Sequence, residues 1–428
     1  MIRQAWLVAL VSLFALAWLG TAAWHSVKPL PPGVHVASLG TRLTESDVEF
    51  LSDARQRREP VARAAAAIDR AEQLIVIDQS PPAAELARHL LARKHSRPTI
   101  KIVLLTNPAN EIDGGIENHS LRQLEQAGIV VVRTRLERLR DSNPLYSSGW
   151  RLAVAWWSDR FDANPRSEGL ESTLRRMNHT ANLRGLIVAD DGAGGWVSML
   201  PAGADATLEL RGALARDIIA SELQIAAWSS DDDRLPSVPM PAAAEVGSID
   251  ARLLTEGAIG AALVRSIDAA GKGDEISVAA AHLAERSVVG ALLRAAARGA
   301  LARVLLNPER LPNQAVAGEI ARAGAGIELR WARSDPASPQ ATMVIVRHGA
   351  AAWINVGSAD MTRRGMDDLN LAAAVELRVP ARAAATRAAE EFFAQGWSRA
   401  APYSDFADQS AVLYWQYRFL EASGLAAF

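Results

Sequence analysis

Ile102-Val103-Leu104-Leu105-Thr106-Asn107-Pro108 is matched far along the chain by Arg303-Val304-Leu305-Leu306-Asn307-Pro308. Both are short apolar runs stopped by the same Asn-Pro, which reads as a strand meeting its turn. Working outward, the surroundings agree. Ala62 to Ala71 is an alanine-rich helical stretch leading into the apolar strand Leu74-Ile75-Val76-Ile77-Asp78, and Ile259 to Ala270 leads likewise into Ile276-Ser277-Val278-Ala279-Ala280. A second helical stretch follows in each case. Downstream, Gly128-Ile129-Val130-Val131-Val132-Arg133 matches Gly326-Ile327-Glu328-Leu329-Arg330, and each half closes with Leu186-Ile187-Val188-Ala189 or Met343-Val344-Ile345-Val346, a glycine-containing turn and one more strand. Two stretches about 200 residues apart that follow one plan mark an internal repeat.

Short apolar strands alternating with helices predict an α/β protein of two repeats, each a mixed sheet flanked by helices. The alternative is one doubly wound domain with chance likeness between its βα units. The predicted boundaries are an anchor over 1–29, a first repeat over 30–230, a linker over 231–248, a second repeat over 249–400 and a closing helix over 401–428. The linker is rich in Asp, Pro and Ala without periodicity, and Leu413 to Leu420 has apolar residues at helical spacing.

From Ala5 to Trp24 no residue is charged, and a helix of that length rises about 30 Å, enough to cross a bilayer's hydrocarbon layer. Arg3 precedes the run and Trp6, Trp18 and Trp24 suit its interfaces, so the N-terminus is expected inside and the body outside the cytoplasm. A cleaved signal peptide is the competing reading, with Thr21-Ala22-Ala23 as its small residues. Lys28-Pro29-Leu30-Pro31-Pro32-Gly33 then reads as a stiff extended exit from the membrane.

The 428 residues are 49% hydrophobic and 22% charged, enough to bury a large core. A formal charge of -2 argues against a nucleic-acid partner, whose phosphates call for a basic face. There is no cysteine, which removes disulfides, thiolate metal sites and a cysteine nucleophile; lysine occurs only at 28, 94, 101 and 272.

Gly357-Ser358-Ala359-Asp360-Met361-Thr362-Arg363-Arg364-Gly365-Met366-Asp367-Asp368-Leu369-Asn370 resembles the G-S-x-N segment, with its later Asn, that follows the H-x-K-x4-D motif in the phospholipase D superfamily, including bacterial cardiolipin-synthase-like proteins. The resemblance covers most of residues 45 to 400. It implies two repeats related by a pseudo-twofold and a bacterial-type inner membrane location with the body facing the periplasm. It also implies chemistry in which one histidine attacks phosphorus, the other protonates the leaving alcohol and the lysines hold the phosphoryl oxygens.

Counted back from the strand ends, the first motif starts at Leu183, with Gly185 in the lysine place and Asp190 in the aspartate place. The second starts at Gln340, with Thr342 and Arg347 in those places. Gly357 and Ser358 match, Asp360 replaces the first asparagine, Asn370 is present, and Ala372 stands where a glutamate is expected. Pro201-Ala202-Gly203-Ala204-Asp205 is a weak echo in the first half. Of the motif residues proper, only Asp190 remains. Leucine has no lone pair to attack phosphorus, and glutamine neither attacks nor donates a proton usefully at neutral pH.

Other residues compete for a role. His179 and His348 lie beside the motif places and His282 follows a strand, so a rearranged site is conceivable, against the reading that all three are ordinary loop or turn histidines. Asp231 to Asp233 are consecutive and do not converge on one ion. Gly192 to Gly195 lacks a phosphate loop's Lys-Ser/Thr ending and reads as a hairpin turn; Arg294 and Arg298 before Gly299 suit a solvated helix face and its cap. The expectation is therefore a membrane-anchored, catalytically inactive protein that binds a lipid headgroup or a protein partner, without metal or cofactor. Against it stands a phosphodiesterase or phosphatidyltransferase with an atypical site.

Overall fold

In the computed structural model of the chain the described residues are 2–52, 58–79, 83–107, 112–113, 116–117, 119–161, 180–202, 206–230, 238, 240–242, 247–324, 326–333, 342–406 and 410–423. The first repeat contains α2 (Arg58–Arg70), α3 (Ala84–Ser96), α4 (His119–Gln126), α5 (Pro144–Phe161) and α6 (Leu214–Ser229). They follow α1 (Ile2–Val27). Its strands are β2 (Val48–Ser52), β3 (Leu74–Asp78), β4 (Lys101–Thr106), β7 (Val130–Arg133), β8 (Ile187–Asp190), β9 (Trp196–Pro201) and β10 (Ala206–Arg211), and a small hairpin of β5 (Ile112–Asp113) and β6 (Ile116–Glu117) stands apart.

The second repeat contains β11 (Ile249–Thr255), α7 (Gly257–Ala269), β12 (Glu275–Ala280), α8 (Arg286–Ala297), β13 (Leu301–Leu306), α9 (Leu311–Ala323) and β14 (Ile327–Trp331). Then come β15 (Met343–His348), β16 (Ala351–Gly357), α10 (Arg363–Met366), β17 (Ala373–Pro380), α11 (Ala384–Arg399), β18 (Ala401–Pro402) and α12 (Ala411–Ser423). β1 (Thr41–Leu43) comes from the N-terminal segment but pairs with β11 of the second repeat.

Two mixed sheets result, ordered β2-β10-β9-β8-β3-β4-β7 and β1-β11-β17-β16-β15-β12-β13-β14-β18. In each, three strands run parallel, β3-β4-β7 and β12-β13-β14, and the rest are antiparallel. β3 and β4 read as continuous apolar runs because both of their faces are covered. Ile75, Ile77, Ile102 and Leu104 face α2, α3 and α4, whereas Leu74, Val76, Val103 and Leu105 join a core shared with Leu253, Met343, Ile345 and Ile354 of the second sheet. That shared core also holds Ile218 and Ile225 of α6 and Phe392 and Phe393 of α11.

Each repeat begins with a strand, β2 or β11, which the helix-first reading of the sequence lacked. Their charged alternate residues, such as Glu49 and Asp250, hide the apolar run.

α1 is long and apolar enough to cross a membrane, and Leu7, Leu10, Leu13 and Leu16 are exposed along it. It packs on α5, where the Trp18 indole donates to the Leu145 carbonyl at 2.7 Å and lies over Gly149. The Pro-rich exit is not the extended spacer that its composition suggested. Gly33 lies in a turn with φ +83°, its carbonyl accepting from Arg184 and Ser221, while Trp228 donates to the Pro32 carbonyl and Val34 is buried in the shared core. Buried donors outcompete water for these carbonyls, so the segment folds back as a strap across the body.

Candidate functional site

The parallel strands of both sheets end beside the seam where the motif places lie. Asn182 forms a parallel bridge with Leu371, the Leu183 N–H donates to the Leu371 carbonyl at 2.8 Å, and the Ala181 N–H donates to Asn370 Oδ1 at 2.9 Å. Leu183 and Asn370 are thus brought together across the repeats. Leu183 is partly exposed. From the other side, the Thr342 N–H donates to the Ala202 carbonyl at 3.0 Å. Gln340, His179, Gly203 to Asp205 and Asp231 to Asp233 lie outside the described residues.

The remaining motif places are spread out. Gly185 has φ +66°, and a Cβ there would meet Pro201 Cγ at 2.9 Å, so the backbone at the lysine place suits glycine. Asp190, at the far end of β8, is buried and accepts from the backbone N–H groups of Glu72, Gln73 and Leu74, each at 2.8 Å. Its carboxylate fastens the α2–β3 turn, away from the seam. Arg347 pairs with Glu390 at 3.2 Å, and His348 Nδ1 lies 2.8 Å from Asp274. Ser358 Oγ is tied to Ala373, donating to its carbonyl and accepting from its N–H. Gly357 lies so close to Ala373 and Ala374 that a Cβ would overlap them. Asp360 faces His282 at 3.2 Å. Arg364, in α10, is buried, and burial followed by the charge of Arg363 pushes its guanidinium down to about 10.

Sequence reading missed the centre of the seam because its residues are charged types normally assigned to the surface. Arg184, next to Leu183, is fully buried. Its Nη1 donates to Glu222 at 2.7 Å and Ser221 at 2.8 Å; its Nη2 donates to Glu256 at 2.8 Å and to the Gly33 carbonyl at 2.7 Å. Glu256, at the β11–α7 junction, also accepts from the N–H groups of His35 at 2.9 Å and Ala372 at 3.0 Å. A carboxylate from another element thus stands against the backbone where the resemblance expected a glutamate.

Asp78, at the end of β3, accepts from Asn182 Nδ2 at 2.8 Å. Burial and the neighbouring charge of Glu222 hold its carboxyl well above the ordinary range. Glu222 Oε2 is buried without a donor among the described residues, and Glu222 contributes to the upward shift of Asp78. Burial likewise raises Glu256, against the opposing pull of Arg184. Among the described residues no group of three His, Asp or Glu side chains is placed to hold a metal ion. A cleft of ≈ 490 Å³ lies apart from the seam on the second sheet, where Arg42 faces Asp250, Arg252 pairs with Glu376 and Arg378 stacks on Trp353.

Residues 263–397 match a family model described as cardiolipin synthase, PLD-like domain. The chain resembles the crystal structure of phosphatidylserine synthase from Haemophilus influenzae Rd KW20 with a TM-score of 0.59, over 91% of this chain and 96% of that one, at 10% identity. A lower score, 0.30, relates it to Nuc, a phospholipase D family member from Salmonella typhimurium, over 36% of this chain and 98% of that one at 19% identity. No curated protein matches. Residues 263–397 are therefore similar to a phospholipase D-like domain, and the chain as a whole shares the two-sheet fold of the phosphatidylserine synthase structure.

Proposed function

We propose that this chain is a single-pass membrane protein, its body outside the cytoplasm, that uses a phospholipase D-type seam to bind a phospholipid headgroup without transferring it. The observation that carries the reading is the engagement of the seam: Leu183 stands at the nucleophile place, Gly185 is left-handed at the lysine place, and the neighbouring Arg184 is buried in a network of protein carboxylates. A guanidinium with that many partners has no donors to spare for a transferring phosphoryl group, which needs positive charge around its equatorial oxygens. The domain boundaries set out above, including the linker and the closing helix, belong to the same proposal, as does the inner-membrane, periplasm-facing placement.

The full chain reconstituted with phosphatidylglycerol tests it. Association with the lipid, with no cardiolipin formed and no glycerol released, is the expected result. Turnover comparable with that of an intact relative, or a trapped phospho-protein adduct, would overturn it in favour of an enzyme with an atypical site. Absence of both lipid association and turnover would move the role to a protein partner.

A further inference from the structure

Among the described residues three non-glycine residues have positive φ: His35 (58°), Glu256 (46°) and Asp368 (63°). They come from separate parts of the chain and meet at one point. The His35 N–H donates to Glu256 Oε2 at 2.9 Å, and His35 Nδ1 lies 2.7 Å from Asp368 Oδ1, which also accepts from the Gly257 N–H at 2.8 Å. Such conformations are costly and persist where surrounding contacts impose them. Here the contacts fix one imidazole.

With Asp368 as acceptor, Nδ1 carries a proton, and Nε2 has no partner among the described residues. The His35 side chain is 49% exposed, while that of Asp368 is only 8% exposed. Arg140 adds a second cation, its Nη1 lying 3.4 Å from Asp368 Oδ2. Its Nε donates to the carbonyl of Lys28, the residue that follows α1. An oriented imidazole and a guanidinium thus flank one buried carboxylate at the base of the membrane helix. With both ring nitrogens protonated, the imidazole donates to Asp368 on one side and to an anion on the other.

We propose that His35 and Arg140, positioned by Asp368, bind a phosphate anion at the surface of the membrane that α1 enters. This rests on the reading of the chain as a headgroup binder and gives that reading a specific site beside the seam. A phosphate oxygen on Nε2–H, with others on the guanidinium, is the contact the geometry favours; free phosphate and the phosphomonoester of an anionic lipid share that chemistry.

The test uses the full chain with 15N-labelled histidine. In detergent, inorganic phosphate is titrated while the His35 ring resonance, assigned by its loss in His35→Gln, is followed. In phosphatidylcholine nanodiscs with and without phosphatidic acid, retention of the anionic lipid is measured for wild type, His35→Gln and Arg140→Gln. A phosphate-dependent shift of the His35 resonance, with at least a ~10-fold loss of lipid retention in either variant, is expected. A shift with free phosphate alone assigns the site to a soluble anion; an effect with phosphatidic acid alone assigns it to lipid. Arg140→Gln leaves the His35–Asp368 bond in place and serves if His35→Gln does not fold. Equal lipid retention by wild type and Arg140→Gln, with an unmoved His35 resonance, overturns the site while leaving headgroup binding intact. No retention by wild type, with an unmoved His35 resonance, overturns both.

Discussion

Arg184 grips Glu256 with two nitrogens, joining the residue beside the first motif place of one repeat to the β11–α7 junction of the other. Both side chains are fully buried, and Glu222 closes the cluster on the opposite side of the guanidinium. Removing the cation strands two carboxylates in a dry seam. Arg184→Met is therefore expected to lower stability by about 3–5 kcal/mol, read as a fall in thermal midpoint in detergent. A change within the scatter of surface substitutions would contradict the arrangement.

Asp190, read from the sequence as the aspartate of the first motif, has a scaffolding task in the fold. Asp190→Ala leaves the N–H groups of Glu72, Gln73 and Leu74 without their acceptor. About 2–4 kcal/mol of stability should be lost, at about 1–3 for each buried donor and less for those that water reaches. Lipid association, compared after correcting for the folded fraction, should match wild type.

Restoring the motif by Leu183→His with Gly185→Lys should fail. A lysine at φ +66° costs about 1–2 kcal/mol, and its Cβ starts within 2.9 Å of Pro201 Cγ. The double variant is expected to melt below wild type and to give no phosphatidyl transfer, whereas Leu183→His alone should be tolerated at its partly exposed site.

Asp78 gives the seam a pH signature. Its folded-state pKa lies above the ordinary 3.8, so the stability contributed by its held proton is complete below that value and is lost as pH rises through the folded pKa. Asp78→Asn offers an amide N–H to Glu222 and a carbonyl to Asn182 without a titrating proton. The midpoint of wild type minus that of the variant should fall as pH rises from about 5 to about 9; a flat difference would show that Asp78 is already ionised.

The base of α1 is open to a similar test. The Asp141 N–H donates to the His25 carbonyl, and its carboxylate accepts from Arg151 and Ser147. Burial acts to raise this carboxyl, but those hydrogen bonds outweigh it and hold it below the ordinary range. Asp141→Asn should loosen the junction by about 1–3 kcal/mol. Because the chain has no cysteine, paired spin labels on introduced cysteines in α1 and in the body can report this as a broadened distance distribution.

The repeat was legible because β3, β4, β12 and β13 each hold a run of buried apolar residues and β4 and β13 stop at the same Asn-Pro. β2 and β11 were not, because each finds its partner strand, β10 or β17, more than a hundred residues away and keeps charges on alternate positions. At the seam, residue type alone misled. Asp190 matched the motif but points into a turn, whereas Arg184, Glu222 and Glu256 are inward-facing only because tertiary structure brings them together. His35 lies just beyond the Lys28 to Gly33 stretch that composition made look like a spacer, and nothing local announces its bond to a residue 333 positions on.

Lys28, immediately after α1, is itself buried, its amine donating to the Glu137 carbonyl at 2.7 Å. With α1 in a bilayer, the body therefore has no tether to swing on. It rides at a constant height, and whatever it meets must arrive by lateral diffusion in the lipid or descend to that height from solution. Lengthening the chain after Lys28 would trade this two-dimensional search for a volume, diluting the local concentration of membrane-borne ligand as the added segment grows.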